Sequence, residues 1–88
     1  MRYRRKSGLS QTDIDDELFL VDVGAGELFY LDRSARGLWN LLDEPSTFES
    51  ILATFREAFP DTPAAQIERD LRQVLIALMG RGLVITVP

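Results

Sequence analysis

Residues 17–32, Glu17-Leu18-Phe19-Leu20-Val21-Asp22-Val23-Gly24-Ala25-Gly26-Glu27-Leu28-Phe29-Tyr30-Leu31-Asp32, hold two apolar runs on either side of a turn bracketed by glycines. The first run ends at Val23 and the second covers Glu27 to Leu31; both are rich in β-branched and aromatic residues, the composition of strands. Gly24-Ala25-Gly26 reads as a three-residue hairpin connection, because such a connection needs a positive φ that glycine reaches without steric cost. Upstream, residues 11–14 extend the hairpin by an outer strand, with Asp15-Asp16 as the intervening turn.

Downstream of Asp32 the period changes from two to that of a helix. Asp32 is placed to cap a helix whose apolar positions Ala35, Leu38, Trp39 and Leu42 follow the i, i+3, i+4, i+7 rule until Asp43-Glu44-Pro45 stops it. Ser46, with Glu49 three residues on, has the form of a capping box for a second helix. Phe48, Ile51, Leu52, Phe55 and Phe59 supply its stripe before Pro60. A third helix starts near Pro63, which suits a first turn because its missing N–H needs no partner there. Ile67, Leu71, Val74, Leu75 and Leu78 face the core, Gly80 and Gly82 end the helix, and residues 82–85 form either a docked tail or a short closing strand. The expected fold class is α+β: a three-stranded antiparallel sheet followed by three helices, in a winged-helix-like arrangement.

The chain has 88 residues, 45% of them hydrophobic and 27% charged, which suits one soluble domain over residues 1–88 and leaves little room for a deep catalytic cleft. It contains no cysteine and no histidine, so disulfides, thiolate or imidazole metal sites and histidine-activated nucleophiles are excluded, and no cofactor is expected. An enzyme is therefore not expected. No apolar stretch approaches a membrane span and no secretory signal pattern is present, so the expected compartment is the cytoplasm. Arg2, Arg4, Arg5 and Lys6 carry four of the ten positive charges, leaving six against fourteen acids in the remainder, or about −8. Such a body repels phosphate backbones and weighs against nucleic acid. The basic start reads as a frayed, solvated terminus within the first ten residues.

Several of these residues together resemble a known family. Gly26-Glu27-Leu28-Phe29-Tyr30-Leu31-Asp32, then Ala35 and Gly37-Leu38-Trp39-Asn40-Leu41-Leu42, is similar to the pattern of PqqD-like proteins: a glycine, a variable strand, Leu-Asn/Asp, then a small residue and a tryptophan on the first helix. Asp70-Leu71, Val74-Leu75, Leu78 and Gly82-Leu83-Val84 resemble the last-helix pattern of that family, so the likeness covers residues 14–84. It rests on the order and spacing of several weak signals. It implies a RiPP recognition element: a winged-helix-like domain that binds the leader of a ribosomally made precursor peptide and presents it to modifying enzymes. A radical-SAM protein, or a leader peptidase with a cyclase, would be the partner. The chain lacks the Tyr-Pro-Glu-Gly-like stretch of members dedicated to pyrroloquinoline quinone, which points towards lasso-peptide or other peptide modification.

Capture of an extended peptide requires an unpaired sheet edge, where main-chain groups supply affinity and flanking pockets choose side chains. If the strands lie in sequence order, Glu27, Leu28, Phe29, Tyr30 and Leu31 have a free side. The resemblance implies that the leader also lies against the last helix. At about 100° per residue from Ile67, Asp70, Val74, Ala77 and Arg81 fall between about 280° and 340°, flanking the core stripe, with Gln73 nearby. Ala77 leaves room for a peptide side chain, Val74 offers apolar contact, and Asp70 and Arg81 offer charge. The other flank carries Glu68, Arg72 and Met79, and period alone does not choose between the two.

In the run from Leu28 to Leu31 both alternating pairs are apolar, whereas a sheet with one wet face alternates polar with apolar. A lined groove, cover by the N-terminal segment, or a homodimer would each account for that. Trp39 reads as a core anchor. Asp13, Asp15, Asp16 and Glu17 read as a solvated turn, lacking the ligand spacing of a calcium loop. Two further functions fit the same elements: a winged-helix DNA-binding regulator, and a scaffold subunit that pairs with itself through the strand edge.

Overall fold

The computed structural model describes all 88 residues. The elements run β1 (Arg2–Arg5), β2 (Leu9–Ile14), β3 (Glu17–Asp22), β4 (Glu27–Leu31), α1 (Arg33–Leu41), α2 (Phe48–Ala58), α3 (Ala64–Gly80) and β5 (Val84–Val87). β2, β3 and β4 form an antiparallel sheet in that order, and β1 pairs with β5 in a separate two-stranded ribbon. The α+β class with a three-stranded sheet leading into three helices is as expected; the winged helix is a loose comparison. No helix is long and apolar enough to cross a membrane.

Local chemistry sets the two hairpins. Ile14 pairs with Glu17 across a two-residue turn in which Asp15 takes φ +56°, a conformation its short polar side chain tolerates. The β3–β4 connection is one residue longer than the glycines suggest. Asp22 pairs with Glu27, so residues 23–26 form the loop. Its Oδ1 accepts from the Ala25 amide at 3.1 Å, and its carbonyl accepts from the Gly26 amide at 2.7 Å. These two bonds draw Val23 out of the strand into solvent, and Gly26 closes the turn at φ +68°.

The helices begin and end largely where their caps lie. Asp32 accepts from the Ala35 amide at 2.9 Å and starts α1. α2 is capped by Thr47, whose Oγ1 accepts from Ser50, and not by the anticipated Ser46–Glu49 box. Ser46 is otherwise engaged: its amide and carbonyl bridge to Tyr3 of β1 at 3.0 and 2.8 Å, which holds it extended and shifts the helix start by one residue. Gly82 at φ +74° terminates α3, with the Leu83 amide returning to the Leu78 carbonyl.

The basic start is a strand and not a frayed end. Arg2 to Arg5 pair with Val87 to Val84. Tyr3 packs on the core, the Arg5 guanidinium lies 5.0 Å from the centre of the Trp39 ring, and its Nε donates to the Trp39 carbonyl at 2.9 Å. Lys6 donates to Asp22 at 2.6 Å and ties β1 to the β3–β4 turn. Residues 82–85 thus belong to the docking of a closing strand whose partner is the other end of the chain.

One apolar cluster joins the sheet to the helices. Leu18, Leu20 and Leu31 from the sheet meet Leu38, Trp39, Ile51, Leu71, Leu75 and Leu78 from the helices, with Leu83 and Val84 closing the far side. Trp39 is an anchor of this core at 2% exposure, its Nε1 donating to Gln11 Oε1 at 3.2 Å.

Candidate functional site

β4 is an edge strand, hydrogen-bonded to β3 on one side only. Leu31 is buried and Phe29 half-buried towards the helices, while Leu28 and Tyr30 point outwards and are exposed. The outer sheet face therefore carries Phe19, Val21, Leu28 and Tyr30, with the Phe19 and Tyr30 rings 5.5 Å apart. Cover by the N-terminal segment, one of the three explanations for this apolar face, is excluded because β1 is committed to β5. Partial loss of hydration beside neighbouring side chains, and after it the nearby Glu17 carboxylate, raises the Tyr30 hydroxyl above the ordinary value of 10.0.

Beside that edge lies a groove of about 290 Å3. Tyr30 and Leu31 of β4 and the cap residue Asp32 form one side, Ala35 of α1 closes the end, and Val74, Ala77, Leu78 and Arg81 form the α3 wall. The residues anticipated on the two walls thus come together in part. Tyr30, Leu31, Val74, Ala77 and Arg81 line the groove; Glu27, Leu28 and Phe29 continue the strand beyond it. Asp70 and Gln73 are exposed on α3 outside the lining. Asp32, Ala35 and Leu78 are lining residues that sequence reading assigned to capping or core. Ala35 carried a usable signal: a small residue on the first helix just after the strand leaves space where a longer side chain would fill it.

Packing chooses the rotation of α3. Arg72 lies over the Phe48 ring of α2 at 4.4 Å and forms an i, i+4 ion pair with Glu68, so that flank is turned towards α2. The flank bearing Val74, Ala77 and Arg81 is left facing β4. A larger hollow of about 430 Å3 sits where α2 turns into α3, lined by Phe59, Pro60 and Pro63 among others, but it borders no strand edge.

Main-chain direction on β4 can be read from one contact. Arg81 Nη1 donates to the Tyr30 carbonyl at 3.4 Å, so that carbonyl points away from β3. Pairs in an antiparallel ladder alternate between bonded and unbonded, so Leu28 shares this direction. Leu28 and Tyr30 offer N–H and C=O groups to the free side, whereas Phe29 and Leu31 turn theirs to β3. The arrangement is one open frame of strand bonds beside a mainly apolar groove. It contains no nucleophile paired with a base.

The acidic stretch at the end of β2 and in the turn after it has its own explanation. Asp13 accepts from Arg36 at 2.8 Å and Asp16 from Arg33, which fastens the β2–β3 turn to α1.

The family described as Coenzyme PQQ synthesis protein D (PqqD) matches residues 17–84. No curated protein matches. Among solved structures, one described as "TbiB1 in Complex with the TbiA(beta) Leader Peptide" is 28% identical with a TM-score of 0.81, and the match covers 97% of this chain and 98% of that one. A second, "Lasso peptide synthetase B1 complexed with the leader peptide", is 21% identical with a TM-score of 0.75 over 98% of this chain and 100% of that one, a likeness of fold. The family match takes in the whole of β3, β4, the three helices and the first residue of β5, and with it both walls of the groove: the chain belongs to the PqqD family.

Proposed function

We propose that this chain is a leader-peptide-binding module, a RiPP recognition element that takes the leader of a ribosomally made precursor peptide as an added strand on β4 and presents it to modifying enzymes. The observation that carries this reading is the unpaired β4 edge lying directly beside the groove under α3. An added strand satisfies the open backbone groups of Leu28 and Tyr30, while its alternate side chains reach the pocket between Leu31, Val74, Ala77 and Leu78. Membership of the PqqD family supports it, as does the solved complex of the 28% identical TbiB1 with a leader peptide. The chain works by binding and not by chemistry of its own, and lasso-type maturation, with a leader peptidase and a cyclase, is the pathway favoured.

The roles follow from placement. Tyr30 and Leu28 supply the pairing groups, and Tyr30 with Leu31 forms one wall; Val74 and Ala77 supply the other; Glu27 and Phe29 extend the strand; Asp70 and Gln73 contact the peptide where it leaves the groove. Titration of the isotopically labelled chain with the TbiA(beta) leader, and with the leader of a short precursor encoded beside its own gene, tests the reading by NMR. Amide shifts at Leu28, Tyr30 to Asp32 and the α3 wall are expected. Saturating peptide that leaves β4 and α3 unmoved would sink it.

A further inference from the structure

We infer that Arg81 is a displaceable cap on the β4 edge and, once displaced, selects for a carboxylate on the added strand. The inference rests on the leader-binding reading and deepens it by naming a chemical requirement of the peptide. Arg81 follows the last residue of α3 and reaches across the mouth of the groove to the Tyr30 carbonyl at 3.4 Å. That carbonyl is one of the acceptors that an added strand must use. An added strand brings a backbone N–H to about 2.9 Å from that oxygen, where it meets the guanidinium already donating to it. Strand addition therefore competes with the Arg81 contact for the Tyr30 oxygen.

The fate of the displaced guanidinium is set by its surroundings. Arg5, Lys6, Arg33, Arg36 and Arg72 pair with carboxylates; Arg81, like Arg2, Arg4, Arg56 and Arg69, pairs with none, and it is the one cation that lines the groove. It lies in an acidic protein, so it is a local positive spot at one end of the groove, with Asp32 among the lining residues on the other wall. Arginine always carries its charge, and its planar fork fits a carboxylate at two points. A peptide carboxylate near the Tyr30 pairing position replaces a long, weak bond to a neutral carbonyl by a charge-assisted one. The same contact disfavours pairing with a second copy, since one acceptor of the edge is engaged by a charged side chain.

A double-mutant cycle on the full chain tests this. The TbiA(beta) leader peptide and variants with each Asp or Glu changed singly to the amide are titrated by calorimetry against wild type, Arg81→Met and Arg81→Lys. One carboxylate-to-amide change should weaken wild-type binding about tenfold, leave Arg81→Met nearly unaffected, and show intermediate loss with lysine, which keeps the charge but not the fork. In the free chain the Tyr30 carbonyl carbon should shift on Arg81→Met and shift similarly when peptide binds the wild type. Binding that is equally sensitive to every carboxylate change in wild type and Arg81→Met, or indifferent to all of them, overturns the inference and leaves the leader-binding reading standing. Failure of every peptide to bind the wild type overturns both.

Discussion

Asp22 shows how much one side chain can organise. It is nearly buried, receives Lys6 and the Ala25 amide, and so joins the chain's start to the turn that launches β4. The Lys6 ammonium first, and the Ala25 amide next, hold its carboxyl below the ordinary value of 3.8, while the same bond raises Lys6 above 10.5. A lowered acid contributes stability above its unfolded value and loses it as pH falls through the folded one; a raised lysine contributes below its unfolded value and loses it as pH rises through the folded one. The pair is thus at full strength from about pH 4 to 10. Lys6→Met should lower the urea midpoint by a constant amount through neutrality, with the difference from wild type closing in strong acid and in strong base. Trp39 belongs to the same scale. Trp39→Ala should cost about 3–5 kcal/mol of unfolding free energy, read from urea titrations, because it removes the largest core side chain together with the Arg5 contact. Tryptophan as core anchor was legible in the sequence; its bond to Gln11 was not, since nothing local links residues 28 positions apart.

Elements carry the functional asymmetry. Successive β4 residues turn their backbone groups to opposite sides, so two neighbouring prolines have opposite consequences. Leu28→Pro removes an N–H that faces the free edge and should leave the fold near wild-type stability while weakening peptide capture. Phe29→Pro removes an N–H that belongs to the ladder with β3 and should unfold or strongly destabilise the chain. Thermal melts together with peptide titration separate the two outcomes; equal loss of stability in both would show that the assigned edge direction is wrong. The β4 limits and the Asp32 cap of α1 were readable from strand composition, the glycine turn and capping preference. The start of α2 was not, because local preference favours Ser46 and is overridden by its pairing with Tyr3, more than forty residues earlier in the chain. The flank of α3 that meets β4 is likewise not set by helical period but by the packing of Arg72 on Phe48.

At the scale of the whole molecule, charge and topology act together. The net charge of −4 gives a field that should draw a lysine- or arginine-bearing peptide, while Arg81 acts only at contact. The two are compatible because steering changes the encounter rate and a local pair changes the lifetime. Association of a basic leader, followed by stopped-flow fluorescence of Trp39 or of a dye on the peptide, should slow markedly between low and molar salt, with a smaller change in dissociation. An association rate indifferent to salt removes the steering claim. By itself the sequence determined the hairpin around residues 17–32, the three amphipathic helices and the family pattern, because these depend on period, capping and turn chemistry within about twenty residues. Only the tertiary structure decided that the basic start is a strand on β5, that β4 keeps a bare edge, and that Val74, Ala77 and Arg81 face it. Each of these is a pairing between distant segments, fixed by which surfaces the core leaves over and not by any local preference.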